Sequence, residues 1–156
     1  MTSGAIDEAA LAFLDKNRTA AMTTLRRDGT PHSVRVGVAV VGGKVWSSGT
    51  QERARTKHLR RDPRSTLFVF DSTFRWLSLE CRVHILDGTD APELNLKLFE
   101  VYQRTTSPPP PAGMLSWFGA TRTIEEFRQI MVDEHRLIYE FEVTRTYGMY
   151  GEAPSG

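Results

Sequence analysis

Apolar residues recur at helical spacing at Ile6, Ala9, Ala10, Phe13 and Leu14, which predicts an amphipathic helix closing near Lys16-Asn17. From Thr19 to Arg26 the pattern becomes β-type, and Asp28-Gly29 supplies a hairpin turn. After Pro31 the alternation is clean: Val34, Val36, Val38 and Val40 share one face, Ser33, Arg35, Gly37 and Ala39 the other. Gly42-Gly43 reads as a second turn and Lys44 to Ser48 as a third strand, so three strands are expected to form a meander. A short basic helix starts near Ala54 and stops before Pro63.

Ser65 to Asp71 forms a fourth expected strand, in which the run Leu67, Phe68, Val69, Phe70 predicts burial on both faces. Trp76 to Leu86 is a fifth, with Leu77, Leu79, Cys81, Val83 and Ile85 inward and Ser78, Glu80, Arg82 and His84 outward. A helix follows from Ala91, with Leu94, Leu98, Val101 and Tyr102 on one stripe. Ser107-Pro108-Pro109-Pro110-Pro111-Ala112-Gly113 must be a surface loop. Met114, Trp117 and Phe118 read as its anchors. Thr123-Ile124-Glu125-Glu126 fits a capping box for a last helix, and Arg136 to Thr146 a sixth strand through Leu137, Tyr139, Phe141 and Val143. The fold expected is mainly β: a six-stranded antiparallel barrel with peripheral helices. Tight hairpins disfavour a parallel sheet.

At 156 residues the chain suits one domain, taken as residues 1–150, with a flexible tail over 151–156. A net charge of +1 gives no bulk attraction for nucleic acid, so no nucleic-acid partner is expected. Cys81 is the single cysteine, which excludes an intramolecular disulfide and fits a reducing compartment. The first residues lack a signal-peptide pattern and no run approaches the roughly 18 apolar residues of a membrane span. A cytoplasmic protein without a membrane partner is the expectation.

Against this near-neutral background one segment stands out. Arg53, Arg55, Lys57, Arg60, Arg61 and Arg64 fall within twelve residues, opposed after Glu52 only by Asp62. A strand delivers Ser47, Ser48, Gly49 and Thr50 to the start of that helix. Hydroxyls, free N–H groups at a helix start and guanidinium forks suit a phosphate. The same residues also fit a solvated charged helix with Leu59 alone packed inward. His32, His58, His84 and His135 lack metal-ligand spacing, so no metal is expected. No Gly-x-Ser-x-Gly elbow and no Gly-rich nucleotide fingerprint is present.

The order helix, meander, Arg53-Ala54-Arg55-Thr56-Lys57-His58-Leu59-Arg60-Arg61-Asp62-Pro63-Arg64, then a long strand bearing Trp76, resembles the split-barrel flavin-binding superfamily. That group includes pyridoxamine 5′-phosphate oxidase and the actinobacterial deazaflavin (coenzyme F420)-dependent reductases. Further matching features are Asp28-Gly29-Thr30-Pro31-His32, Phe127-Arg128-Gln129-Ile130-Met131-Val132 and Tyr147-Gly148. One departure is Cys81, where related chains often carry Gly; a small buried hydrophobe is the reading preferred for it.

The resemblance implies an FMN-binding split-barrel type of fold and an oxidoreductase. It implies that Ser48, Gly49, Thr50, Arg53, Arg55 and Lys57 hold the cofactor phosphate, and that His32, Ser33, Val34 and Arg35 lie along the tricyclic ring. It implies a homodimer with the cofactor in a groove between subunits. The cofactor implied is coenzyme F420, whose acidic tail would meet the surplus of six basic residues over the needs of one phosphate. Reduced deazaflavin would give a hydride to a small unsaturated organic acceptor. The alternatives are an FMN-dependent oxidase or reductase, a non-catalytic cofactor carrier and, third, a haem-binding protein of the same barrel. No catalytic side chain is assigned.

Overall fold

A computed structural model describes residues 6–151. The elements are α1 (Glu8–Lys16), β1 (Thr19–Leu25), β2 (Pro31–Gly37), β3 (Ala39–Val41), β4 (Lys44–Thr50), α2 (Ala54–Arg61), β5 (Arg64–Phe70), β6 (Trp76–Leu86), α3 (Ala91–Gln103), β7 (Met114–Trp117), β8 (Ala120–Thr123), α4 (Ile124–Asp133) and β9 (Arg136–Met149). Seven strands form one antiparallel sheet in the order β2-β1-β5-β6-β9-β4-β3, and β7-β8 form a separate hairpin. The sheet curls into a split barrel whose two end strands, β2 and β3, are consecutive in the chain.

The barrel interior is apolar because each strand sends alternate residues inward. Met22, Leu67, Val69, Leu77, Leu79, Leu137, Tyr139 and Phe141 are buried together, with Phe13 and Leu14 of α1 and Leu59 of α2 in the same cluster. Outside the barrel, α3 covers β3, β4 and β9 through Leu98 and Val101 against Ala39, Trp46 and Ile138. A third cluster joins α3, the β7–β8 hairpin and α4 through Leu96, Leu115, Trp117, Phe127 and Met131. The Thr123–Glu126 capping box starts α4 as the sequence predicts.

Several expectations need correction. The run after Pro31 is two strands: at Val38 the backbone N–H turns to the Arg18 carbonyl at 2.8 Å, and the chain leaves β1 to pair with β4. Its four valines do share the barrel core, because the alternation survives a corner that re-aims the ladder. The expected meander accordingly does not form: β2 pairs with β1, and β3 with β4. The main sheet has seven strands, not six. The hairpin β7–β8 lies where a loop anchor was expected; Phe118 (φ 46°) and Gly119 (φ 79°) form its turn. β5 is not buried on both faces, since Phe68 and Phe70 are 38% and 61% exposed. They belong to the outer face, where neighbouring strands supply Trp76, Tyr147 and Met149. Ser78, expected to face away, is buried. The expected loose tail lies, from Glu152 on, outside the described residues.

Cys81 occupies β6 at an irregularity between Glu80 and Cys81, where the pairing with β9 shifts register. Its Sγ lies 3.4 Å from the Leu79 carbonyl, and burial pushes the thiol pKa up to about 12. It is a packing residue. Native protein at about pH 8 should therefore resist aromatic disulfide reagents and release one equivalent of thiolate only on denaturation. Rapid labelling of the folded chain would show instead that the bulge opens.

Candidate functional site

The barrel's split sets the site. β4 is laddered to β9 along Val45–Thr50, but to β3 only along Lys44–Trp46. From Ser47 to Thr50, one backbone edge of β4 has no strand beside it among the described residues. The free edge of β2 meets the same opening, because β3 continues the path of β2. Ser47 laces the top of the split by donating its hydroxyl to the Gly37 carbonyl at 2.6 Å. Two unpaired strand edges present backbone N–H and C=O groups to the space between them.

α2 crosses the lower end of this opening. Arg53 is its N-cap in extended conformation with no side-chain cap among the described residues; the Thr56 N–H goes to the Arg53 carbonyl at 3.1 Å, which leaves the N–H groups of Ala54 and Arg55 for an outside acceptor. The first turn is anchored from below. Thr56 donates to the Thr50 carbonyl at 2.7 Å and is joined to the Tyr139 hydroxyl at 2.5 Å. Since Thr56 has one proton, Tyr139 is the donor in the second bond. Tyr139 is fully buried, and a Cβ added at Gly49 would overlap its ring. Gly49 is therefore required where the strand passes over a tyrosine.

The six basic residues separate into two sets. Arg60 donates to Asp87 at 2.8 Å and to Gln51 at 2.6 Å; Arg61 donates to the Leu25 carbonyl; Arg64 is paired with Asp62 at 2.8 Å. Those hydrogen bonds from Arg64 bring the Asp62 carboxyl down to about 2. Arg53, Arg55 and Lys57 have no carboxylate partner among the described residues. Glu52, next to them in sequence, is taken by His135 at 2.6 Å. Arg55 is half-buried, its Nε is enclosed without a hydrogen-bond partner, and its guanidinium lies 5.6 Å from the centroid of the Tyr139 ring. Burial lowers its pKa while leaving it cationic at neutral pH. An enclosed orphan donor on a cation beside an uncapped helix start fits a phosphate oxygen.

On the β2 side of the opening, at the end α2 crosses, His32 is half-buried and its Nδ1 has no partner among the described residues. It meets His58 of α2 edge-on at 5.1 Å between centroids, and His58 Nδ1 shares a 2.9 Å hydrogen bond with Thr24. Burial, then His32, Arg61 and Arg26, lower the pKa of His58. Ser33 is bonded to Thr23 at 2.8 Å, Val34 packs on the barrel core and Arg35 is exposed. Ser33, Val34 and Arg35 line a groove of 450 Å³ with Thr19, Ala20, Ala21 and Phe70.

The remaining sequence-predicted residues are close by but differently occupied. Ser48 donates to Asn95 of α3 at 2.6 Å, so its hydroxyl proton is engaged. Gly49 makes room for Tyr139, and Thr50 gives its carbonyl to Thr56. Sequence reasoning did not single out Tyr139, Thr56, Asn95 or Thr24. Tyr139 had one available signal, a glycine inside a strand, which marks close approach by another group.

A curled antiparallel sheet split between β2 and β4, with a helix start at the split, defines a split-barrel protein. The profile of pyridoxamine 5′-phosphate oxidase matches residues 6–148, and the chain belongs to that family. An F420H2-dependent biliverdin reductase from Mycobacterium tuberculosis (strain CDC 1551 / Oshkosh) is 33% identical over 95 residues, 58% of this chain. The match spans 66% of that protein, just under two thirds of its length. A conserved hypothetical protein from Mycobacterium tuberculosis superposes with a TM-score of 0.71 at 22% identity, over 100% of this chain and 96% of the other. An F420 reductase superposes with a TM-score of 0.63 at 20% identity, over 91% and 98%. These two structural likenesses establish the fold.

The His58 environment has a consequence for pH dependence. Folding makes this imidazole harder to protonate, so the unfolded chain binds more protons around and below pH 6.5. The His58 contribution to stability is complete above that range and is lost as the pH falls. In urea titrations between about pH 7.5 and about pH 5.5, His58→Gln should flatten the drop in stability relative to the parent protein. An unchanged slope would mean that other groups set it.

Proposed function

We propose that this protein is an oxidoreductase that binds coenzyme F420 in the split between β2 and β4. The observation that carries the reading is the set of three cations without carboxylate partners among the described residues, Arg53, Arg55 and Lys57, at an uncapped helix start. Support for F420 over FMN comes from the F420H2-dependent relative. The charge surplus no longer supplies it, because Arg60, Arg61 and Arg64 are engaged by the protein's own acceptors.

In this reading Arg55 and Lys57 hold the phosphate with the first N–H groups of α2, and Arg53 adds charge at the mouth. The edge of β2, with His32, Ser33, Val34 and Arg35, orients the ring. The unpaired Nδ1 of His32 is a polar contact on that side. The bound reduced deazaflavin supplies a hydride, and the acceptor is a small unsaturated organic molecule. The chain's own work is binding, orientation and exclusion of water. Neither Cys81 nor any Ser–His–Asp arrangement enters.

A homodimer is part of the proposal. Phe68, Phe70, Trp76 and Tyr147 form a ladder of aromatic contacts on the outer face, with ring centroids 5.6 to 6.0 Å apart. Phe70 and Met149 are more than half exposed. A contiguous apolar surface of this kind is suited to a second copy, which would bring another wall to the groove at Phe70.

Binding and assembly are tested separately. In titrations with F420 and FMN side by side, Arg55→Ala and Lys57→Ala should each weaken F420 binding about 10- to 150-fold, the loss of a charge-assisted contact of ~1.5–3 kcal/mol. Arg60→Ala and Arg64→Ala should stay within about twofold, because their ion pairs are exposed and structural. Equal affinity for FMN would favour the FMN-dependent alternative, and no affinity for either would end the cofactor reading. For assembly, sedimentation should find a dimer that Phe70→Asp converts to monomer; a monomeric parent protein would remove the second copy.

A further inference from the structure

Tyr139 is enclosed in the barrel and, on alternation alone, is one more core residue of β9. Its surroundings are unlike those of its neighbours Leu137 and Phe141. Its ring lies under the guanidinium of Arg55, its hydroxyl donates to Thr56 in the first turn of α2, and Gly49 on the adjacent strand has no side chain where the ring passes. One side chain thus touches the arginine, the helix turn that carries the arginine, and the strand end that precedes it.

We infer that Tyr139 is a positioning residue for Arg55: the ring face and hydroxyl hold the guanidinium and its helix turn in the attitude that grips an anion. The inference rests on the reading in which Arg55 holds the cofactor phosphate. An arginine carries several rotatable bonds, and a grip that must be assembled at binding costs the entropy of ordering them. A π face under the guanidinium orders it beforehand, and burial of Nε strengthens that attraction. The hydroxyl adds a second constraint on the backbone, since Thr56 is tied at once to Tyr139 and to the Thr50 carbonyl. No carboxylate among the described residues shares this role, and nearby Glu52 is held by His135 on the outside. A tyrosine therefore does what a carboxylate could do only by neutralising the charge the anion needs.

The test compares Tyr139→Phe, Tyr139→Leu and Tyr139→Met, with Arg55→Ala and the double variant Arg55→Ala/Tyr139→Leu. Each is checked for folding by circular dichroism and thermal unfolding, then titrated with F420 and with inorganic phosphate as competitor. Tyr139→Phe keeps the ring face and loses only the tie to Thr56, which the Thr50 carbonyl still holds, and should bind within about threefold of the parent. Tyr139→Leu and Tyr139→Met lose it and should bind about 3- to 30-fold more weakly, the range of a partly desolvated cation–π contact. Phosphate should compete correspondingly less well. The double variant should be no weaker than Arg55→Ala alone, because the tyrosine acts through the arginine. Folded Leu and Met variants that bind like the parent would overturn the inference while leaving the cofactor reading intact. So would a double variant weakened by the product of both single losses. If Arg55→Ala itself has no effect, it is the placement of the phosphate that fails, and the inference with it.

Discussion

Everything at this site depends on a pairing that does not form. β3 leaves β2 at the corner where the Val38 N–H bonds Arg18, and takes the near half of β4 for itself. The far half of β4 then runs beside β2 without a ladder. Closing that gap would satisfy the backbone and leave an ordinary small barrel. Leaving it open creates a slot with polar edges in an otherwise apolar wall, and the bond across it from Ser47 to Gly37 holds its top shut. Unmet backbone groups at a surface are tolerable because water reaches them, and a flat polar ligand can replace that water.

Charge in this region is sorted by partner rather than by position. Basic residues along α2 do different work: Arg60 and Arg61, in the last turn, hold Asp87, Gln51 and the Leu25 carbonyl, where cations also suit the helix dipole. Arg53 and Arg55 stand at the positive end, where the dipole does not help them. Cations gathered there without acids are electrostatically unfavourable in isolation, and a bound anion relieves that. The same logic extends to Tyr139 beneath Arg55, a neutral support that leaves the charge intact. The cost appears elsewhere, as a fixed glycine at position 49 and a buried hydroxyl network that must be fully satisfied.

Much of the fold was legible in the residue pattern. Periodicity located α1, α2, α3 and α4 and the four valines of the β2–β3 run, because side-chain alternation survives a bend. The capping box at Thr123 and the stop at Asp62-Pro63 were local signals with local causes. Phe68 and Phe70 misled, since an apolar residue on an outer face looks the same in sequence as one in a core; only the absence of a covering layer distinguishes them. The β7–β8 hairpin was hidden because its strands are four residues each and its turn uses Phe118 at positive φ.

For the site, the basic segment and the helix start were readable, since spacing and composition are properties of the chain. Which cations are free was not. Position along the helix separates Arg60 and Arg61 from Arg53 and Arg55, but their partners, Asp87 just past β6 and the Leu25 carbonyl of β1, come from distant strands; Arg64 alone has a local one, Asp62 two residues before it. Tyr139 and Arg55 are 84 positions apart, and nothing local links them. Short-range order is written in residue type because it depends on backbone preference and side-chain period. Partnership between distant groups is written only in three dimensions, because it exists once the sheet has curled and left its split.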